Sequence, residues 1–497
     1  MNPLLATAIY IAGIAALFYL DRDRTSRVSK GLLVPFLWLL IIASRPVSMW
    51  FQSGPTVSQE QAYEEGSPID AAVYGCLIAL GLVVLSRRGA RVRQYLGANP
   101  AIVLFLLYCG VSIAWSDYSF VAFKRWIKAV GDVIAVMVVL TEYDAETAVR
   151  QLLSKASFLL LPVSILFIKY YPDLGRAYNP WTGLPMYSGV TTFKNLLGMT
   201  CLICGIGSLW AFLSALQDRQ VPGSKRRLIA HGSMAIVALW LIVMANSMTS
   251  LSCYLMSGFL LVLAMRREPT VRASVLRSVM IGCIALSFFS MFIDPTSMLR
   301  SIGRDPTLTG RTDIWRAVLA MHTNPLIGSG FESFWMGKRL IEVGRMTEKG
   351  IQEAHNGYLE VYINLGFVGL AFLAAVIYAG YKNVNAQLQS DRSMAALRLS
   401  FITAGLIYSF AEAGFRMMSP IWVCMLIAVS CTPIGKPPEL NPYLAKMGWD
   451  ETDVPVKERN TISDVALQEA NVVVGGPIGT FNRRGSSTGN REWELSQ

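Results

Sequence analysis

Ala354-His355-Asn356-Gly357-Tyr358-Leu359-Glu360 closes a long polar stretch and opens an apolar one. Upstream, from Asp294, the chain reads as a loop; downstream, apolar residues run on to about residue 381. The same alternation repeats in both directions. Apolar runs of roughly 18–22 residues, long enough for a helix to cross about 30 Å of hydrocarbon, are separated by polar segments that hold the charge. Of the 497 residues, 53% are hydrophobic and 15% charged, whereas a soluble domain carries about 25% charged residues. The pattern predicts an all-α polytopic membrane protein with about 12–13 transmembrane helices. They fall near residues 3–20, 31–50, 69–86, 100–116, 127–141, 156–171, 195–216, 228–246, 250–265, 277–294, 356–381, 396–414 and 419–434. Residues 1–434 form the multispan domain, with 295–355 its large loop. Residues 435–497 are rich in Gly, Pro, Ser, Asn and charge, and predict a mostly disordered cytoplasmic tail. The first apolar run lacks a basic leader and is expected to stay as a span, with the N-terminus outside.

The loops set the orientation. Arg22/Arg24/Arg27/Lys30, Arg87/Arg88/Arg91/Arg93, Arg219/Lys225/Arg226/Arg227 and Arg266/Arg267/Arg272/Arg277 fall in one alternating set of loops. That set is cytoplasmic by the positive-inside bias, which also accounts for much of the net charge of +11 without nucleic acid. Segments 117–126, 172–194, 295–355 and 415–418 then face outward. Outward basic residues oppose the bias and need another reason to be there. They are Lys124, Arg125, Arg176, Lys194, Arg311 and Arg416 among others. Snorkelling to lipid phosphate is the plain reason; gathering around an anionic ligand is the functional one.

Within the large loop, residues 309–321 predict a helix, with Ile314, Trp315, Val318 and Leu319 on one face, lying in the membrane interface. Arg311 sits at its start, where free N–H groups and a guanidinium fork favour phosphate oxygens. Of three histidines, His231 is placed at the cytoplasmic end of a span, and His322 and His355 are outward. His322 follows the last turn of the loop helix and would meet its carbonyls. His355, at the edge of a span, is the candidate base. All eight cysteines fall inside predicted spans, so Cys201-x-x-Cys204 reads as small packing residues. No metal-ligand spacing and no nucleotide-binding motif is seen, so neither metal nor cofactor is expected.

His355-Asn356, nine residues, Gly366, two residues, Gly369 resembles the H-[NSQ]-x9-G-x-x-[GTY] pattern of O-antigen ligases and related polysaccharide polymerases. Gly310-Arg311-Thr312-Asp313-Ile314-Trp315, Pro325-Leu326-Ile327-Gly328-Ser329-Gly330, Ser44-Arg45-Pro46 and Phe193-Lys194-Asn195-Leu196-Leu197-Gly198 look most like the succinoglycan-type exopolysaccharide polymerase branch. The resemblance spans roughly residues 30–430. It implies a bacterial inner-membrane glycosyltransferase facing the periplasm. Such an enzyme moves a glycan from an undecaprenyl diphosphate carrier to a glycan acceptor, beside other polysaccharide assembly and export proteins. It also implies that His355 activates the acceptor. Arg311 and Lys194 would hold diphosphate, with Lys124, Arg125, Arg416, Asn356 and Glu360 as further substrate-binding candidates. Met248 stands where the family often has a basic residue, so the charge there must come from elsewhere. Polymerisation is the leading expectation and ligation of a finished glycan the second. A transporter or flippase reading would rest on the mid-span acid Asp132 and on Glu412 nearer the outer end, but no internal repeat supports it.

Overall fold

The computed structural model describes residues 2–22, 28–51, 67–178, 183, 185–221, 223–266, 273–292, 311–347 and 351–432. The expected tail and the first part of the large loop lie outside the described residues. Within them the chain is almost entirely helical, as the apolar periodicity predicts. Among the described residues, eight helices are long and apolar enough to cross a membrane, or nine if the pair Gly89–Ala98 and Pro100–Trp115, bent by 86°, counts as one span. This is fewer than the expected 12–13, and three of the differences have visible reasons. Lys30–Ile42 and Pro420–Val429 are apolar but short. Ser119–Leu140 is long enough but carries Lys124, Arg125, Lys128 and Asp132. One feature went unforeseen: Arg176–Tyr178 and Pro185–Tyr187 pair as two short antiparallel strands.

Burial ranks the helices. The Lys194–Gln217 and Arg392–Ala411 spans are 78% and 89% buried, whereas Pro3–Leu20 is 6% buried and forms the periphery. Small residues let the central helix pack closely on its neighbours. A Cβ on Gly205 would lie 2.6 Å from the Tyr254 ring, and one on Gly198 2.6 Å from Ser247. Cys201 and Cys204 are fully buried in the same helix, and every described cysteine is free.

The large loop folds on a small core of its own. Ile314, Ala317 and Val318 of the Arg311–Leu319 helix pack with Phe334, Trp335, Val343 and Ala354. Leu319, expected on the packed face, is 58% exposed, and Ala317 takes its place. The loop is joined to the membrane helices through a break at Gly366 (φ +66°, ψ −166°) in the Gly357–Ser390 helix. The break frees backbone groups that must find partners in a buried place. Ser329 and Gly330 donate to the Ile363 and Asn364 carbonyls (3.0 and 2.9 Å), while Phe367 and Val368 donate to Pro325 and Leu326 (2.8 and 3.1 Å). The Tyr108 hydroxyl takes the Leu365 carbonyl at 2.9 Å. The two backbones lie so close that a Cβ on Gly366 would sit 2.2 Å from Leu326, and one on Gly328 2.4 Å from Asn364. Pro-Leu-Ile-Gly-Ser-Gly and the downstream glycine are therefore two halves of one joint.

Candidate functional site

Glu353, His355, Arg311, Glu412 and Arg416 come from distant parts of the chain and meet at one end of the bundle. The fold delivers each by a separate device. Arg311 opens the loop helix. Asn195 sits in the first turn of Lys194–Gln217, behind a turn that Arg45 holds through the carbonyls of Thr191 (3.0 Å), Gly189 (3.3 Å) and Leu174. Glu412 is the C-cap of Arg392–Ala411 and bonds Gly357 N through its own carbonyl at 3.1 Å. His355 precedes the Gly357–Ser390 helix, whose N-cap is Asn356; the Asn356 side chain accepts from Tyr358 N and Leu359 N, both at 3.0 Å.

The imidazole is the centre. His355 Nδ1 lies 3.0 Å from Glu412 Oε2 and 3.0 Å from Glu353 Oε1. Glu412 Oε1 also accepts from Arg311 Nη2 at 2.9 Å and from Asn195 Nδ2 at 3.1 Å. Arg416 donates from Nε to Glu332 at 3.1 Å and reaches Glu353 at 3.7 Å. Burial disfavours charge on the imidazole, but its hydrogen bonds to Glu353 and Glu412 and their negative charge outweigh burial, and the pKa is pushed up to about 10. Burial would raise Glu353, but the hydrogen bond and charge of His355, then Arg416 and Arg311, hold it below the ordinary carboxylate value. His355 is thus an imidazolium at neutral pH, with Nδ1 engaged and Nε2 left for other chemistry. Glu353, His355 and Glu412 also offer three ligand atoms within 4.8 Å of one another, a spacing that fits a divalent cation. Arg311 and Arg416 already serve the same carboxylates.

Backbone strain gathers here. Five non-glycine residues among those described have positive φ, a region such residues seldom occupy. Glu332 (+51°) and His355 (+47°) belong to the cluster, and Met418 (+58°) ends the turn that carries Arg416. That turn is pinned from inside the bundle by Asp132, fully buried, which accepts from Met418 N and Trp38 Nε1, each at 2.8 Å.

The other predicted residues have different places. Arg125 is buried and donates to the Glu332 carbonyl, so it shapes the strained turn. Glu360 is buried as well; it accepts from Trp335 Nε1 at 3.0 Å and from Ala354 N at 2.5 Å, clamping the residue before His355. Asn356 serves as a helix cap. Lys124 lies over the Phe120 ring, 5.0 Å from its centroid. Lys194 starts the central helix next to Asn195 and is part-exposed. Sequence reasoning missed Glu353, Asn195 and Glu332, and read Glu412 only as a transport acid. The visible signals were Glu353 two residues before His355, and a lone acid ending an otherwise apolar helix.

Residues 202–374 match the family model described as O-antigen ligase. Exopolysaccharide production protein ExoQ of Rhizobium meliloti (strain 1021) is 25% identical over 366 residues, covering 71% of this chain and 79% of that protein. A protein of Rickettsia felis, provisionally named a polysaccharide ligase, is 24% identical over 55% of this chain and 66% of its own length. A Rickettsia prowazekii protein of the same provisional name is 22% identical over 40% of this chain. The family resemblance read from the sequence is borne out, and the chain is a multi-pass membrane protein.

Proposed function

We propose that this protein is a membrane glycosyltransferase that polymerises lipid-diphosphate-linked oligosaccharide repeats at the periplasmic face of the bacterial inner membrane. The observation that carries the reading is the imidazole held between two carboxylates, with guanidinium groups on those same carboxylates. The donor is a glycan on undecaprenyl diphosphate, and the acceptor a sugar hydroxyl. The hydroxyl oxygen attacks the anomeric carbon from the side opposite the diphosphate. The new C–O bond forms as the bond to diphosphate breaks, so the configuration inverts. The hydroxyl proton passes to Nε2 of His355 in its neutral form, and the lipid diphosphate leaves carrying the bonding pair. Glu353 and Glu412 stabilise the imidazolium that forms and fix the ring through Nδ1. Donor phosphate would compete with Glu412 for Arg311 and with Glu332 for Arg416. Binding therefore exchanges one set of anions for another in a site where water is scarce. Lys194, beside Asn195, supplies further positive charge. Cationic side chains take the part a metal plays in other glycosyl transfers.

Ligation of a finished glycan to a lipid or protein acceptor uses the same donor chemistry and is the second reading; the provisional names of the Rickettsia relatives favour it. The two separate in cells carrying His355→Ala. Single repeats on the carrier with polymer lost are expected for a polymerase. Finished polymer accumulating on the carrier would instead mark a ligase. Normal polymer and normal surface glycan would remove His355 from the mechanism.

A further inference from the structure

Asp132 has no part in the transfer step, yet it is fully buried with both carboxyl oxygens in use. Oδ1 accepts from Trp38 Nε1 and Oδ2 from Met418 N, each at 2.8 Å. The indole is locked in place. A Cβ on Gly131 would meet it at 2.2 Å, and the Tyr74 ring packs against it with centroids 5.4 Å apart. The acid is a fixed post, and what it holds is a turn.

That turn carries Arg416. Ser419 N closes it by donating to the Arg416 carbonyl at 3.3 Å, with Met418 (φ +58°) at the third position, where glycine or asparagine is usual. The closing bond leaves the Met418 N–H without a partner inside the turn, and a methionine in this conformation is strained. Asp132 gives that N–H its acceptor and so offsets the strain.

The other half of the ion pair is held from the same helix. Arg125, buried and seven residues before Asp132, donates to the carbonyl of Glu332, whose own φ is +51°. Seven residues make about two turns, so both side chains leave one face of Ser119–Leu140. Glu332 and Arg416 then bond to each other at 3.1 Å. Beside them lies a cavity of about 40 Å³, lined by Ala129, Val133, Phe331, Glu332, Arg416 and Met417. It has room for roughly three waters. Packing does not close around the pair on this side, so the two hydrogen-bonded turns set its place.

We infer that Asp132 is a positioning residue for Arg416: by fixing the strained turn, it aims the guanidinium at the place where the donor diphosphate binds. The inference rests on the reading of Arg416 as a diphosphate ligand.

Binding of undecaprenyl diphosphate to the purified full chain in detergent tests it without using transfer as the readout. Arg416→Gln is expected to weaken binding about tenfold, the loss of one charge-assisted contact. Asp132→Leu, of similar size and suited to apolar surroundings, should weaken it by a similar factor. Arg416→Gln/Asp132→Leu should bind no worse than Arg416→Gln alone, because both act through one contact. Glycine adopts positive φ without strain, so adding Met418→Gly to Asp132→Leu should restore most of the loss. If the leucine variant does not fold, Asp132→Asn keeps the shape with one acceptor for two donors, and should give a smaller loss of the same non-additive kind. Losses that multiply in the double variant would make Asp132 a general support of the fold and overturn the inference. A folded Asp132→Leu that binds as the wild type does, while Arg416→Gln does not, would overturn it as well. Arg416→Gln binding as tightly as the wild type would instead strike the donor site itself, and the inference with it.

Discussion

Two buried ion networks, one at each end of the bundle, are built from the same residue types and behave differently. In the first, Glu142 accepts from Arg88, from Ser29 N at 3.1 Å and from Ser29 Oγ at 2.6 Å. Arg88 completes its fork on the Val138 carbonyl and Thr141 Oγ1, at 2.9 and 3.1 Å. One acid and one base are closed off by neutral partners. In the other, three carboxylates, two guanidinium groups and an imidazole share partners, and Glu412 alone serves Arg311, Asn195 and His355. A closed pair has no reason to admit another anion. A shared network can exchange one, because Glu353 and Glu412 each already serve two cations. The first network is a staple, and the second is the proposed site.

The largest effects should separate the two. His355→Ala is expected to lower glycosyl transfer by about 10²–10⁴-fold, the usual contribution of a general base. Its unfolding temperature in detergent should stay near that of the wild type. Transfer above a tenth of the wild-type rate would break the assignment of His355. Glu142→Ala should do the opposite. It strands Arg88 in a buried place at a cost of about 3–5 kcal/mol. Yield and unfolding temperature should then fall, while the folded fraction keeps its specific activity. If activity per folded molecule fell as steeply as in His355→Ala, the distinction between staple and site would be lost.

A smaller effect sharpens the comparison. With a pKa near 10, about one His355 in a thousand is neutral at pH 7. If neutral Nε2 takes the acceptor proton, transfer should rise about tenfold per pH unit from neutrality towards 10. Glu412→Gln removes one of the two carboxylates, so the midpoint of that rise should move to lower pH. Stability runs the other way. The folded pKa lies above the unfolded one, so the imidazolium stabilises the fold fully below the ordinary histidine value. That stabilisation is lost as pH climbs through about 10. A rate that falls across this window would mean that the charged ring, not the neutral one, is what the reaction uses.

Legibility followed sequence distance. Helices and their apolar faces are local, and the apolar runs placed them well. His355 and Arg311 stood out because each opens or adjoins an element whose sequence signals are local. What stayed hidden is held by contacts across long separations. Glu412 meets Arg311 across 101 positions, and Asp132 meets Met418 N across 286. No periodicity carries such information. Glu360 shows the same limit from the other direction. Its place near His355 suggested a substrate ligand, but it points inward, where Trp335 and Ala354 use both its oxygens. The expected spans and the apolar helices of the described residues differ where charge and length conflict. Ser119–Leu140 buries Asp132 and Arg125, and both pin the turns around the proposed site.

The smallest expected effect is the one most able to damage this reading. Glu353, His355 and Glu412 have the spacing of a cation site. Two considerations weigh against its use as one. His355 would have to surrender an Nδ1 proton that both carboxylates hold, and a divalent ion would sit against Arg311 and Arg416, repelled by both. Exhaustive chelation of divalent metals should therefore change transfer by no more than about twofold, whereas a Lewis acid at the reacting oxygen contributes several kcal/mol. The measurement is transfer in washed membranes with and without chelator, followed by readdition of Mg²⁺, Mn²⁺ or Zn²⁺. A loss restored by one of these ions, and absent in Glu353→Gln, would mean that the carboxylates exist to hold a metal rather than to charge an imidazole. The two ends of the bundle would then differ in what they bind rather than in how tightly they are closed.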